Sequence, residues 1–236
     1  MGFEQLKRDV CEANKGLVEA GLVMLTWGNV SGVDRASDVM AIKPSGVGYD
    51  ELTPDDVTVL SIKTGEVIEG ILNPSIDSPT HLVLYREFES IGSVVHVHSI
   101  FATSWAQAGQ EIPCFGTTHA DHFHGPVPLT RALTDDEIKN QYEHNTGRVI
   151  VERFAELGLG PLEMSAVLVQ HHGPFIWGDT IKSAMDNAVA LEEVAGMAAL
   201  VLQLDSKASP CSKALLDKHY LRKHSPGAYY GQRGKS

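Results

Sequence analysis

Cysteine is scarce. Cys11, Cys114 and Cys211 stand roughly a hundred residues apart, an odd number with no C-x-x-C pair, which argues against a disulfide framework and a cysteine-rich zinc module. Runs of Lys or Arg are also missing, and the formal net charge is −11, so a nucleic acid or an anionic membrane is a poor partner, because such binding is driven by neutralising phosphates. Neither G-x-x-x-x-G-K-[ST] nor G-x-G-x-x-G occurs, which disfavours nucleotide and dinucleotide cofactors. The longest apolar stretch, around residues 194–202, is far below a membrane-spanning length. Glu4, Lys7, Arg8 and Asp9 fall where a signal peptide would need its apolar stretch. A reducing cytoplasm is therefore the expected location, where the sequon Asn29-Val30-Ser31 would stay unglycosylated.

What is present is a globular composition. The 236 residues are 43% hydrophobic and 21% charged, enough for one sizeable core, and a single domain over 1–236 is expected. Phe3, Leu6, Val10, Ala13, Leu17 and Ala20 recur at helical spacing up to Gly21, predicting an amphipathic first helix. Short apolar runs at 39–42 and 57–62, separated by Gly, Pro, Asp and Thr, read as strands and tight turns. A helix is expected from Ser78-Pro79, a strand over 93–98, a helix over 101–108, one or two helices over 135–157 behind the cap Thr134, and a buried strand over 166–170. The last clear element is a helix over 180–204 with Asp179 as its N-cap. Strands and helices alternate without repeats, predicting an α/β or α+β architecture.

Eleven histidines are many for this length, and they cluster. His96-Val97-His98 follows Val94-Val95, and alternation along a strand points both imidazoles to one face, as a bidentate grip for zinc, manganese or cobalt. Zinc needs further ligands, for which His171 or His172 and the turn residue Asp77 are candidates. The hydrolase pattern H-x-H-x-D-H fails, because Ile100 and Phe101 occupy its last two positions. His119-Ala120-Asp121-His122-Phe123-His124 forms a second polar knot, whose carboxylate is either a general base or an ordinary turn residue. Tyr229-Tyr230-Gly231 offers phenols that are either acids or surface packing. Thr26-Trp27-Gly28-Asn29 and Lys43-Pro44-Ser45-Gly46 are turns whose backbone amides make anion-binding concavities.

Taken together and in order, Thr26-Trp27-Gly28-Asn29-Val30-Ser31, Lys43-Pro44-Ser45-Gly46, Pro74-Ser75-Ile76-Asp77, His96-Val97-His98-Ser99, Gly116-Thr117-Thr118-His119-Ala120-Asp121, His172-Gly173-Pro174-Phe175 and Asp217-Lys218-His219-Tyr220-Leu221-Arg222 resemble the class II aldolase and epimerase family. The resemblance covers essentially the whole chain. It implies a three-layer αβα sandwich around a largely antiparallel sheet, and a homotetrameric ring with active sites between subunits. It implies one divalent ion per subunit, zinc first, with manganese or cobalt as substitutes, held by Asp77, His96, His98 and His172. Substrate contacts carry over to Gly28, Asn29, Lys43, Ser45, Gly46, Ser75 and Ile76, and acid–base roles to Asp121 and Tyr230. The implied activity is metal-dependent interconversion of L-ribulose 5-phosphate and D-xylulose 5-phosphate by retro-aldol cleavage and re-addition, with a sugar-phosphate aldolase of the fuculose-phosphate type as the alternative.

Two departures from the family pattern stand out. Ile76 replaces a second serine after Ser75, leaving only its backbone amide for an anion. Gln170-His171-His172 replaces His-x-His before Gly-Pro, and the ligand role is carried to His172, directly before Gly173.

Overall fold

The structure is a computed structural model that describes residues 2–225 and 227–229. Among the described residues seven strands form one sheet in the order β4-β3-β2-β1-β5-β7-β6, every pair antiparallel: β1 (Asn29–Asp34), β2 (Val39–Ile42), β3 (Thr58–Ser61), β4 (Val67–Glu69), β5 (Ser93–His96), β6 (Ala166–Leu168) and β7 (Pro174–Gly178). The helices are α1 (Glu4–Glu19), α2 (Ser78–Glu87), α3 (Ile100–Ala108), α4 (Thr117–Ala120), α5 (Asp135–Lys139), α6 (Tyr142–Leu157), α7 (Ile181–Leu204) and α8 (Lys213–His224).

Strand alternation explains why both faces are covered. On β1, the Ser31 hydroxyl meets His81 and Tyr85 of α2, whereas a Cβ on the next residue, Gly32, would strike Ile181 of α7 and Leu6 of α1. On β7, Trp177 packs against Phe88 and Phe154 beneath α2 and α6, while a Cβ on Gly178 would collide with Ser183 and Ala184 of α7. The sheet thus lies between α1/α7 and α2/α6, the expected αβα sandwich. β2 is buried along its whole length, and it reads as the unbroken apolar run Val39–Ile42.

Local chemistry sets several boundaries, some as expected and some not. β5 ends at His96, and Val97 and His98 continue it without ladder bonds. The stretch 135–157 is split by Gln141 in the left-handed region (φ 56°), and Thr134 closes a capping box with Glu137. The N-cap of α7 is Thr180 rather than Asp179. Thr180 accepts the backbone N–H of Ser183, and Asp179 instead accepts the Ser183 hydroxyl at 2.6 Å. α7 is long and apolar enough to cross a membrane by length and composition, yet it lays Ala184, Ala188, Leu191 and Ala195 on the sheet. Its Glu192 carboxylate leaves the helix to accept the backbone N–H groups of Phe101 and Ala102, at 2.8 and 3.0 Å, in the first turn of α3.

Candidate metal centre

His96 is the last residue of β5 and pairs in register with Asn29 on one side and Phe175 on the other. Its ring stacks flat on Phe175, with centroids 4.1 Å apart and planes at 9°, and its Nδ1 donates to the Pro174 carbonyl at 2.9 Å. That bond fixes the tautomer and leaves Nε2 free as a ligand atom. His98, two residues on, puts its ring 4.9 Å from that of His96. The third imidazole arrives from the β6–β7 turn. There His171 takes φ 64°, and the chain reverses so that His171 is exposed while His172 faces inward, its ring 4.8 Å from His96 and 5.1 Å from His98. One ligand atom from each of His96, His98 and His172 lies within 4.8 Å of the others. Of the two adjacent histidines, His172 and not His171 is the one brought to His96 and His98.

The electrostatics suit a cation. Burial pushes the pKa of His98 down to about 4 and that of His172 down to about 3, and the neighbouring imidazoles add to this, so both rings are neutral donors near pH 7. Asp77, at the N-terminal end of α2, lines the same cavity. Burial alone would raise its pKa, but the facing His96 and His81, the Asn29 amide and His172 outweigh it and keep the carboxyl below its usual range. The Asp77 carboxylate accepts Nδ2 of Asn29 at 2.7 Å, and it stands beside the three-histidine group rather than within it. Asn29 Oδ1 is buried without a partner, an acceptor still to be satisfied.

The anion-binding turns close the other side of a cavity of about 770 Å³. Residues 43–46 and 73–75 are laced together by Ser45 N–H to Asn73 O (3.0 Å) and Ser75 N–H to Lys43 O (3.1 Å). Ser75 Oγ accepts from Asn29 Nδ2 at 3.1 Å. Gly28 takes φ 92°, and a Cβ there would sit 2.7 Å from the His96 carbonyl, so only glycine lets this turn press onto β5. Tyr49 clamps the turn from below through bonds to the Trp27 and Gly28 carbonyls, and the buried Lys43 ammonium lies 4.9 Å from its ring centre. Burial lowers the Lys43 pKa. Gly46 and Ile76 also line the cavity, with Ile76 67% exposed.

Asp121 does not join them. It caps α4 away from this cavity, where Arg222 grips both its oxygens at 3.0 and 2.7 Å and His219 Nδ1 reaches Oδ1 at 3.1 Å. Burial opposes its ionisation, but the Arg222 and His219 hydrogen bonds and the Lys223 charge hold its carboxyl below the ordinary value. Tyr230 lies outside the described residues. Conversely, the structure adds groups absent from the sequence reading. Tyr142 brings its hydroxyl to 3.3 Å from Nδ1 of His172, and Glu143 and the buried Thr103 line the same cavity. The α2 histidine His81 underlies the centre, bonded to Ser31 and set edge-on to Phe175. Only the i, i+4 spacing of Asp77 and His81 hinted at this.

The family model for the class II aldolase and adducin N-terminal domain matches residues 8–199. This chain belongs to that family. It is 48% identical over 231 residues to L-ribulose-5-phosphate 4-epimerase UlaF of Salmonella paratyphi B, covering 98% of this chain and all of that relative, and equally similar to the same-named protein of Salmonella typhi. Among solved structures, L-fuculose 1-phosphate aldolase superposes with a TM-score of 0.78 at 24% identity over 93% of this chain and 96% of that one. An aldolase II superfamily protein from Pseudomonas syringae gives 0.75 at 12% identity over 95% and 88%. At such identities these two share the fold alone.

Proposed function

We propose that this chain, as a single domain over 1–236, is a divalent-metal-dependent epimerase that interconverts L-ribulose 5-phosphate and D-xylulose 5-phosphate. The observation that carries this reading is the 48% identity running end to end along relatives named for that activity. The three inward-facing histidines supply the chemistry it needs.

The hydrogen on C4 of a ketose phosphate is not adjacent to the carbonyl, so its configuration cannot be inverted by simple deprotonation. Breaking C3–C4 provides a route. His96, His98 and His172, with Asp77 as the acidic ligand, would hold one divalent ion, zinc before manganese or cobalt. When bound, that ion supplies Lewis-acid stabilisation of the charge that develops on the dihydroxyacetone fragment. Asn29, Ser45, Gly46, Ser75 and the Ile76 backbone amide, with Gly28 and Lys43 beside them, retain the phosphate of the glycolaldehyde phosphate fragment while its aldehyde turns over. Re-addition to the opposite face gives the epimer.

The C4 oxygen must lose a proton as the bond breaks and regain one from the other side, which calls for two acid–base groups. Asp121 and Tyr230 take these roles. Because Asp121 stands away from the cavity of its own chain, it serves the centre of a neighbouring subunit in a homotetramer.

The test is formation of D-xylulose 5-phosphate from L-ribulose 5-phosphate by metal-stripped protein with and without added zinc or manganese. Metal-dependent conversion is expected. Accumulation of free dihydroxyacetone and aldehyde instead would point to the aldolase reading, and no reaction in folded, metal-loaded protein would overturn the epimerase reading.

A further inference from the structure

Two of the three cysteines, well separated in sequence, meet in space. Cys114 Sγ lies 3.7 Å from Cys211 Sγ across 97 residues of chain, and the Cys211 N–H donates to the Cys114 carbonyl at 2.9 Å. The backbones are therefore held opposite one another, and a small side-chain rotation would bring the sulfurs to the bonding distance of about 2.0 Å. Cys11, the third, is buried elsewhere, against the Leu52 carbonyl. The reaction proposed above uses none of these thiols.

We propose that Cys114 and Cys211 are a modification site, a dithiol that peroxide closes into a reversible disulfide. Cys211 is the part-exposed member and Cys114 is buried, so Cys211 is attacked first. Its thiolate attacks one peroxide oxygen, the O–O bond breaks, and the hydroxide that leaves takes up the proton the thiol had released, so a sulfenic acid and water result. The Cys114 sulfur then displaces hydroxide from the Cys211 sulfur: the S–S bond forms, the S–O bond breaks, and the hydroxide leaves as water with the Cys114 proton. Two electrons pass from the thiol pair to one peroxide. Burial and the second sulfur push the Cys114 thiol up to about 12, consistent with its acting second.

Location gives the bond its consequence. Cys211 directly precedes Ser212, the N-cap of α8, and Cys114 lies two residues before Gly116, the N-cap of α4. The disulfide would staple the root of α8, which carries His219 and Arg222, to the segment that presents Asp121 to them. The proposal is independent of the reaction catalysed.

The whole protein is treated with a small excess of hydrogen peroxide, then denatured in N-ethylmaleimide and weighed. The expected product is a monomeric chain lighter by two hydrogens before alkylation, with Cys11 as the one thiol labelled, a linked Cys114–Cys211 peptide pair, and all three thiols restored by dithiothreitol. The midpoint of thermal unfolding should rise by about 5 °C or more on oxidation and return on reduction, because the bond closes a long loop. Cys211→Ser should abolish both changes and leave Cys114 reduced. Three labelled thiols after peroxide, oxygen atoms accumulating on Cys211, a disulfide-linked pair of chains, or an unshifted midpoint would each overturn the proposal.

Discussion

Asp121 and Arg222, 101 residues apart in sequence, face each other through two N–H···O bonds of 3.0 and 2.7 Å. The guanidinium supplies both the grip and part of the charge that keep the carboxylate ionised, as the acid–base role proposed for it requires. Asp121→Asn should therefore lower epimerisation by about 10²–10⁴-fold. Bound metal, measured by elemental analysis, should be unchanged, since Asp121 is not one of the residues proposed to hold the ion. An unaltered rate would return Asp121 to the role of a turn residue.

Tyr230→Phe removes one hydroxyl and little else. Turnover should fall by a similar factor with metal content and thermal midpoint unchanged, and near-normal turnover would take the phenol out of the mechanism.

His98→Asn deletes one of three convergent imidazoles. Its effect on metal affinity should exceed the roughly 10–100-fold cost of losing an outer hydrogen-bond partner of a ligand. Equilibrium dialysis against zinc measures it, and full retention of the ion would remove His98 from the ligand set.

Gly28→Ala places a methyl group against the His96 carbonyl in a backbone conformation with φ 92°. The turn must give way, at a cost of about 1–3 kcal/mol in chemical denaturation. Because the same carbonyl belongs to one of the three clustered histidines proposed to hold the ion, zinc affinity should fall as well. Stability and affinity both at wild-type values would show that the contact has slack.

His119 is 4% exposed, and its Nε2 donates to the Gly125 carbonyl at 2.8 Å. Burial drives its pKa down to about 4 from 6.5, opposed by that carbonyl and assisted by His122. The unfolded chain takes up the proton near 6.5 while the folded one resists until about 4. The stabilisation is thus complete above pH 6.5 and drains away as pH falls toward 4. Between pH 7.5 and 4.5 the wild type should lose about 2–3 kcal/mol more than His119→Gln. Parallel pH profiles would show that another group carries the acid sensitivity.

Helix edges with chemical punctuation were legible in the chain: α1 stops just before Gly21, α2 opens at Ser78-Pro79, and Thr134 caps α5. Elements without a long apolar pattern were not. α8 buries only Tyr220 and so carries no apolar stripe, and β7 is a five-residue apolar stretch, Pro174–Gly178, too short for periodicity to type. His96 and His98 could be paired from spacing alone, whereas His172 reaches them only through the ladder between β5 and β7. The grip of α8 on Asp121 has the same character, since no local pattern reports a contact made across a hundred residues of chain.

Amides in the first turn of a helix ordinarily face water and trade their hydrogens quickly. Those of Phe101 and Ala102 are instead sealed by Glu192, from the middle of the longest helix in the described chain. Exchange at these two positions then waits for the Glu192 carboxylate to let go, so the start of α3, just after His98, is protected by a side chain of α7 and not left as a free helix end.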